Sequence, residues 1–256
     1  MCLIFLAINQ HPVYPLIIAA NRDEFYNRQT APAEFWKDHP TILGGRDLEA
    51  KGTWMAMTTT GRISMITNYR DPKNIDPKAP SRGQLVSDFL ISEQTAPEYL
   101  KEVEQNGKRY NGYNLIVGNL EALYYYSNYR SGIDLIPNGI HGLSNHLLDT
   151  PWPKVKRGKA QFQSILNSEI NAEILFRFLN NEEKAPDSLL PDTGIGIERE
   201  RALSSMFIKT NGYGTRCSTV ILINHKKEVS FTERVYNLQT FEYTDRYYQF
   251  KITHNA

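Results

Sequence analysis

Cysteine is scarce in this chain: its 256 residues hold two, Cys2 and Cys217. Two thiols cannot build the disulfide framework of a small secreted domain, so a reducing, cytoplasmic setting is expected. Long apolar runs are missing too, and no stretch approaches the ~20 residues that span a bilayer. The opening Met1-Cys2-Leu3-Ile4-Phe5-Leu6-Ala7-Ile8 is apolar but short. It has no basic leading segment and no small-residue cleavage site, and so does not read as a signal peptide. An excess of either charge is also absent, with 29 basic against 28 acidic side chains and no block of one sign. Nothing here favours nucleic acid or an anionic membrane as partner. No Cys/His spacing suits a metal, and no repeat, low-complexity tract or linker divides the chain.

What is present is an ordinary globular balance, 41% hydrophobic and 22% charged, enough to bury one large core. Residues 1–256 are therefore expected to form a single domain. Cys2 to Ile8 predicts a buried strand, and Leu16 to Ala20 its hairpin return. A dense polar run, Asn21-Arg22-Asp23-Glu24, is expected at the exit of that return strand. Residues 30 to 53, with two prolines and several glycines, predict irregular loop. A second hairpin is expected from Trp54-Met57 to Ile63-Ile66, ending at Asn68. Ser81 is expected to cap a helix through Leu90, and Thr95-Ala96-Pro97-Glu98 has the spacing of a capping box. Strands are predicted at Tyr113–Val117, Leu123–Tyr126 and around Ile140. Helices follow from Thr150 to Leu166 and Ala172 to Leu179. Strands return at Ser218–Ile223, Val229–Val235 and Phe241–Ile252. The alternation of strand and helix blocks predicts a layered α+β domain.

Four sets of residues can carry chemistry. Cys2 follows the initiator methionine, and removal of Met1 would join a thiol and a free α-amine in one residue. An α-amine, ordinarily near pKa 8, serves as a general base at neutral pH. Cys2 on its own reads more simply as a small buried hydrophobe in a first strand. The run Asn21-Arg22-Asp23-Glu24 offers four hydrogen-bonding side chains at one strand end, or simply a solvated turn. Asn68 and Asn145 can each stabilise an oxyanion, although asparagine is also a common turn and cap residue. Arg216, after Gly212-Tyr213-Gly214-Thr215, can lower a thiol pKa or bind a carboxylate.

Taken together, the segments resemble the NRDE proteins, the transport and Golgi organisation family. The matching stretches are Met1-Cys2, Ala19 to Tyr26, Gly52-Thr53-Trp54, Thr67-Asn68-Tyr69 and Tyr110 to Leu115. The run Gly142 to Pro153, Gly212 to Arg216, and Phe231-Thr232-Glu233-Arg234 complete them in family order. That family is distantly similar to the choloylglycine hydrolases and penicillin V acylases. The resemblance implies the four-layer αββα sandwich of the N-terminal-nucleophile hydrolases, with Cys2 as nucleophile and its freed α-amine as base. It further implies an oxyanion hole from the Asn68 backbone amide and the Asn145 side chain, with Arg216 beside the thiol. The hydrolases carry arginine, asparagine, any residue and aspartate at the first hairpin, whereas this chain has Asn21-Arg22-Asp23-Glu24. Aligning the carboxylates sets Asn21 in the arginine's place; sliding by one restores Arg22 but displaces Glu24. Which of the four orients the amine stays open. The resemblance leaves two readings: an amide or related acyl hydrolase that needs no cofactor, or a non-catalytic carrier of haem, lipid or acyl groups or a trafficking protein on the same scaffold. For haem, Cys2, Cys217, the methionines and the histidines are the available ligands.

Overall fold

The structure, a computed structural model, describes residues 2–253. Strands β1 (Cys2–Ile8) and β2 (Leu16–Phe25) make the first hairpin. They are followed by β3 (Thr30–Phe35), β4 (Ile42–Asp47), β5 (Met55–Thr58) and β6 (Ile63–Asn68). Helices α1 (Gly83–Ile91) and α2 (Ala96–Asn106) lead into β7 (Tyr113–Gly118), β8 (Leu123–Ser127), β9 (Asp134–Leu135) and β10 (Gly139–Leu143). Next come α3 (Pro153–Leu166), α4 (Ala172–Leu179) and α5 (Ile197–Ala202). The chain ends in β11 (Lys209–Thr210), β12 (Tyr213–Ile223), β13 (Glu228–Tyr236) and β14 (Tyr243–Lys251).

Two seven-stranded antiparallel sheets result. One runs β10-β1-β2-β12-β13-β14 with β11 on β12, and the other runs in chain order from β3 to β9. Side-chain alternation along the strands builds the layers. Ile4, Leu6, Ile18 and Ile221 face Met55, Met57, Met65 and Ile116 of the second sheet, making the core between the sheets. Their neighbours Leu3, Phe5, Ile17 and Val220 point the other way, against Phe162 and Leu166 of α3 and Leu175 and Phe176 of α4. Ile66, Leu115 and Val117 pack outward on Leu85 and Phe89 of α1 and on Leu100 and Val103 of α2. The order is helix, sheet, sheet, helix, the αββα sandwich that the resemblance implied.

Phe5 shows how closely the layers approach. A Cβ on Gly158, inside α3, would lie 2.1 Å from the Phe5 ring, so glycine is required there. Glycine within a helix costs about 1 kcal/mol. Burying the Phe5 side chain contributes about 2–3 kcal/mol and outweighs it.

Four expectations change. Residues 30–53 are not loop throughout, since β3 and β4 lie within them. Pro32 is tolerated because the β3–β4 register breaks between Ala31 and Glu34, and a bulge dispenses with the N–H that proline lacks. The polar run is not the exit of β2 but lies within its second half, because β2 continues to Phe25 with Asn21, Arg22 and Asp23 buried. Ser81 does not cap α1; the N-cap is Arg82, without a side-chain cap bond. Helix α5 was not foreseen. The capping box is present, with Thr95 and Glu98 bonding each other's backbone. No helix among the described residues is long and apolar enough to cross a membrane.

Candidate active site around Cys2

In the first sheet, Arg22 lies opposite Cys2 on β1 and opposite Cys217 on β12. Directly paired residues share a face, so a thiol flanks Arg22 on either side of one rung. Cys2 and Cys217 both belong to the core between the sheets. An open cleft of about 930 Å³ meets this rung at the Cys2 end. Arg22, Arg28 and Arg82 bring positive charge to its wall, and Trp54, Ile66 and Pro80 bring apolar surface.

The four residues of the polar run divide between the two faces. Asn21 is fully buried on the helix side, where Nδ2 donates to Leu179 O (3.0 Å) and Met206 O (2.9 Å) and Oδ1 accepts from Ser218 Oγ (2.6 Å). It ties the end of α4 to the sheet and does not line the cleft. Asp23 is buried and lines the cleft, with Oδ1 accepting from Thr215 Oγ1 at 2.7 Å. Glu24 stands further out, with Oε1 accepting from the Phe25 N–H at 2.8 Å.

Asn68 ends β6 and lines the cleft. Asn145 is fully buried behind it, its Nδ2 donating to the Asn68 carbonyl at 3.0 Å. The segments are further joined by the Arg70 N–H to Asn145 O (2.8 Å) and by Thr67 Oγ1 to Ser144 O (2.6 Å). Arg216 takes another position. It sits at the β-bulge between Thr215 and Cys217, and its Nη1 donates to the carbonyls of Phe25 (2.7 Å) and Tyr26 (3.0 Å). It borders a second cavity of about 520 Å³ with Cys217 and Glu233; Arg22, Asp47 and Trp54 line both spaces. Met1 lies outside the described residues.

Burial pushes the Cys2 thiol up to about 11. At neutral pH it is held protonated, so nucleophilic use demands a base that takes its proton. Burial raises Asp23 as well, against the opposing pull of Lys154. Lys154, on α3, is 1% exposed and its Nζ has no hydrogen-bond partner among the described residues. Burial lowers it to about 8, while Asp23 and Cys2 act in the opposite sense. Tyr213 is a second buried donor near Asp23 and Cys2, its hydroxyl also without such a partner.

Lys154 and Tyr213 are what the sequence reading missed. One signal for Lys154 was available: a lysine in the first turn of α3 opposes the helix dipole, which favours anions there. That turn carries no acidic residue. For Tyr213 and Arg82 only the fold supplies the signal. No group of three or more His, Cys, Asp or Glu among the described residues could hold a metal ion.

Comparison with solved structures gives the fold a name. A cysteine-to-alanine mutant of conjugated bile acid hydrolase from Clostridium perfringens superposes with a TM-score of 0.52 at 10% identity, covering 100% of this chain and 99% of that one. The Caenorhabditis elegans ortholog of N-acylethanolamine-hydrolyzing acid amidase gives 0.51 at 10% identity, covering 86% and 92%. The fold is that of the N-terminal-nucleophile hydrolases. Among sequences, the mouse and human Transport and Golgi organization 2 homologs are each 39% identical over 91% of this chain and 92% of their own length. The Drosophila melanogaster protein is 28% identical over 91% of each. The family model described as Transport and Golgi organisation 2 matches residues 1–238, and the chain belongs to that family.

Proposed function

We propose that the Cys2 cleft is the active centre of a hydrolase acting on an amide or a related acyl bond, with Cys2 as nucleophile once Met1 is removed. The observation that carries this reading is the position of Cys2: first residue of a central strand, opposite Arg22, at an open cleft with Asp23 and Lys154 behind it. The names of the solved neighbours, a bile acid hydrolase and an acid amidase, lend support, although a shared fold alone does not fix an activity.

In this reading the α-amine of Cys2 takes the thiol proton, and Sγ attacks the substrate carbonyl carbon. The oxyanion so formed is stabilised by the Asn68 backbone N–H and the Asn145 amide. The proton passes to the leaving group, the C–N bond breaks and a thioester remains. Water then adds to the thioester, releases the acid and returns the proton to the thiol. Asp23 and Glu24 are the candidates for holding the ammonium, and Arg22 for favouring the thiolate. A reducing cytoplasm suits such a thiol.

Mass spectrometry of the mature N-terminus, joined to an amide and thioester screen of wild type, Cys2→Ala and Cys2→Ser, tests the proposal. A chain beginning at Cys2 whose turnover vanishes in Cys2→Ala is expected. Full activity in Cys2→Ala would overturn it. Binding of haem, seen as a saturable Soret shift, or of lipid without any turnover would replace it with a carrier.

A further inference from the structure

We propose that the Cys2 cleft selects substrates bearing an oxyanion, a carboxylate or a phosphate, held by Arg22, Arg82 and the N-terminus of α1. This rests on the acyl-hydrolase reading of the cleft and names the substrate class.

Arg22 provides the first support. It is 8% exposed and its side chain makes no hydrogen bond or ion pair with any described residue, yet it lines both the cleft and the cavity beside it. A guanidinium carries five donors and cannot shed its charge. Burying one without a partner is costly unless an anion arrives to meet it.

Arg82 is the second. It is half-buried, and the one hydrogen bond its side chain makes among the described residues runs from Nη1 to Gly112 O at 3.0 Å. It forms no ion pair with a described residue. It is also the N-cap of α1, a nine-residue helix with no side-chain cap and no acidic residue in its first turn. Ser81, Arg82 and Gly83 therefore present an uncompensated positive helix end to the cleft.

The remaining charges in the cleft largely cancel one another. Arg28 is paired with Asp47 at 2.6 Å. Asp23 accepts from Thr215 and faces Lys154. On the far side of Arg22, Glu233 shares the second cavity with it and feels its charge; within the cleft itself Glu24 is left at the mouth, facing two guanidinium groups and a helix end. A planar oxyanion matches the fork geometry of arginine, and charge-assisted bonds of this kind are about twice as strong as neutral ones. The apolar wall of Trp54, Ile66 and Pro80 is left for the uncharged part of the ligand.

The test measures calorimetric binding to the full-length Cys2→Ala chain, which cannot turn the probes over. The probes share a twelve-carbon chain: N-dodecanoylglycine, dodecyl phosphate and the neutral N-dodecanoylethanolamine. At least one anion is expected to bind about tenfold tighter than the neutral probe. Which anion wins identifies the carboxylate or the phosphate as the source. That preference should shrink below about threefold on adding Arg22→Gln or Arg82→Gln, with neutral binding unchanged, while Arg82→Lys retains part of it. Should Arg22→Gln fail to fold, the half-buried Arg82 carries the test. Equal affinity for all three probes, no anion binding at about 1 mM, or a preference that survives Arg82→Gln would overturn the proposal. Wild type that binds the anions selectively but hydrolyses nothing would sink the hydrolase reading and leave the anion site standing.

Discussion

Cys2 and Cys217 occupy one rung of one sheet, a strand to either side of Arg22, and both are 7% exposed. Burial raises both thiols. What separates them is the company each keeps. Cys2 begins its strand and borders an open cleft, with Asp23 and Lys154 near. Cys217 lies mid-strand beside a smaller cavity, facing Glu233, a buried carboxyl that accepts the Ala33 N–H at 2.6 Å. Burial raises the Glu233 carboxyl as well as the thiol, and the negative charge of Glu233 works against a thiolate at Cys217. Reactivity on this rung follows from the neighbours and the access, not from depth. The two thiols are also two strands apart, about 9–10 Å, which is too far for a disulfide.

Activity gives the harshest test of that contrast. Cys2→Ala is expected to cut turnover roughly 10³-fold or more, and Cys217→Ala to leave it within about threefold. Equal losses in the two variants would erase the distinction. Alkylation sharpens it. In a chain that retains Met1, iodoacetamide should label Cys2 with a pH midpoint near 11, against the ~8.5 of a free thiol. Cys217 should lag behind Cys2 at every pH, because Cys2 alone opens on the cleft. Removal of Met1 should lower the Cys2 midpoint, since the freed amine can take the proton. Peptide mapping across pH reads both sites at once, and labelling of Cys217 ahead of Cys2 would reverse the assignment.

The sequence was most legible where local chemistry and tertiary packing agree. The Cys2–Ile8 strand, the hairpin before Asn68 and the Thr95–Glu98 capping box all follow from alternation or spacing. It was misleading where packing overrides local preference. Gly44 and Gly45 read as loop residues, but β4 needs a glycine at position 44 because a Cβ there would lie 2.5 Å from that of Ala56. Asn21-Arg22-Asp23 read as a turn because polar residues seldom fill a buried strand end. Here Asn21 and Asp23 meet specific partners that only the closed sandwich supplies. Cys2, Arg22, Asp23, Glu24 and Asn68 line one cleft, whereas Asn21 and Asn145 are buried away from it and Arg216 borders the second cavity. Arg82 was out of reach because no periodicity encodes how α1 docks, and Lys154 offered only its uncompensated place in the first turn of α3.

Neighbours on β2 extend the comparison to stability. Asn21→Ala removes donors to two buried carbonyls and an acceptor for Ser218. It should cost about 2–4 kcal/mol, since each buried group left unsatisfied is penalised. Arg22→Gln, one residue further on the cleft side, gives up no bond to a described residue and should cost less than about 1 kcal/mol while weakening activity. Urea unfolding of the two variants measures both. A larger stability loss for Arg22→Gln than for Asn21→Ala would mean that Arg22 is a structural group.

A smaller effect than that of Asn21→Ala is expected behind Cys2, at Lys154, and its size depends on pH. Burial sets Lys154 near 8 in the folded chain, below its ordinary 10.5. Below pH 8 both states carry the proton, and the folded chain holds a buried ammonium. Between 8 and 10.5 the unfolded chain binds more protons, so this residue makes stability rise with pH. Lys154→Met removes that rise. At pH 7 the variant should be more stable by about 1–3 kcal/mol, because an apolar side chain replaces a buried charge. Asp23, already raised by burial, takes up a proton and offsets part of the gain. By pH 10 wild-type Lys154 is largely neutral and the difference should fall below about 1 kcal/mol. Lys154→Arg, whose charge cannot be shed, should be the least stable of the three at pH 10. Unfolding curves at the two pH values that stay parallel for wild type and Lys154→Met would show that the ammonium is not the source of the strain. Cys2 and Cys217 would then differ by access alone.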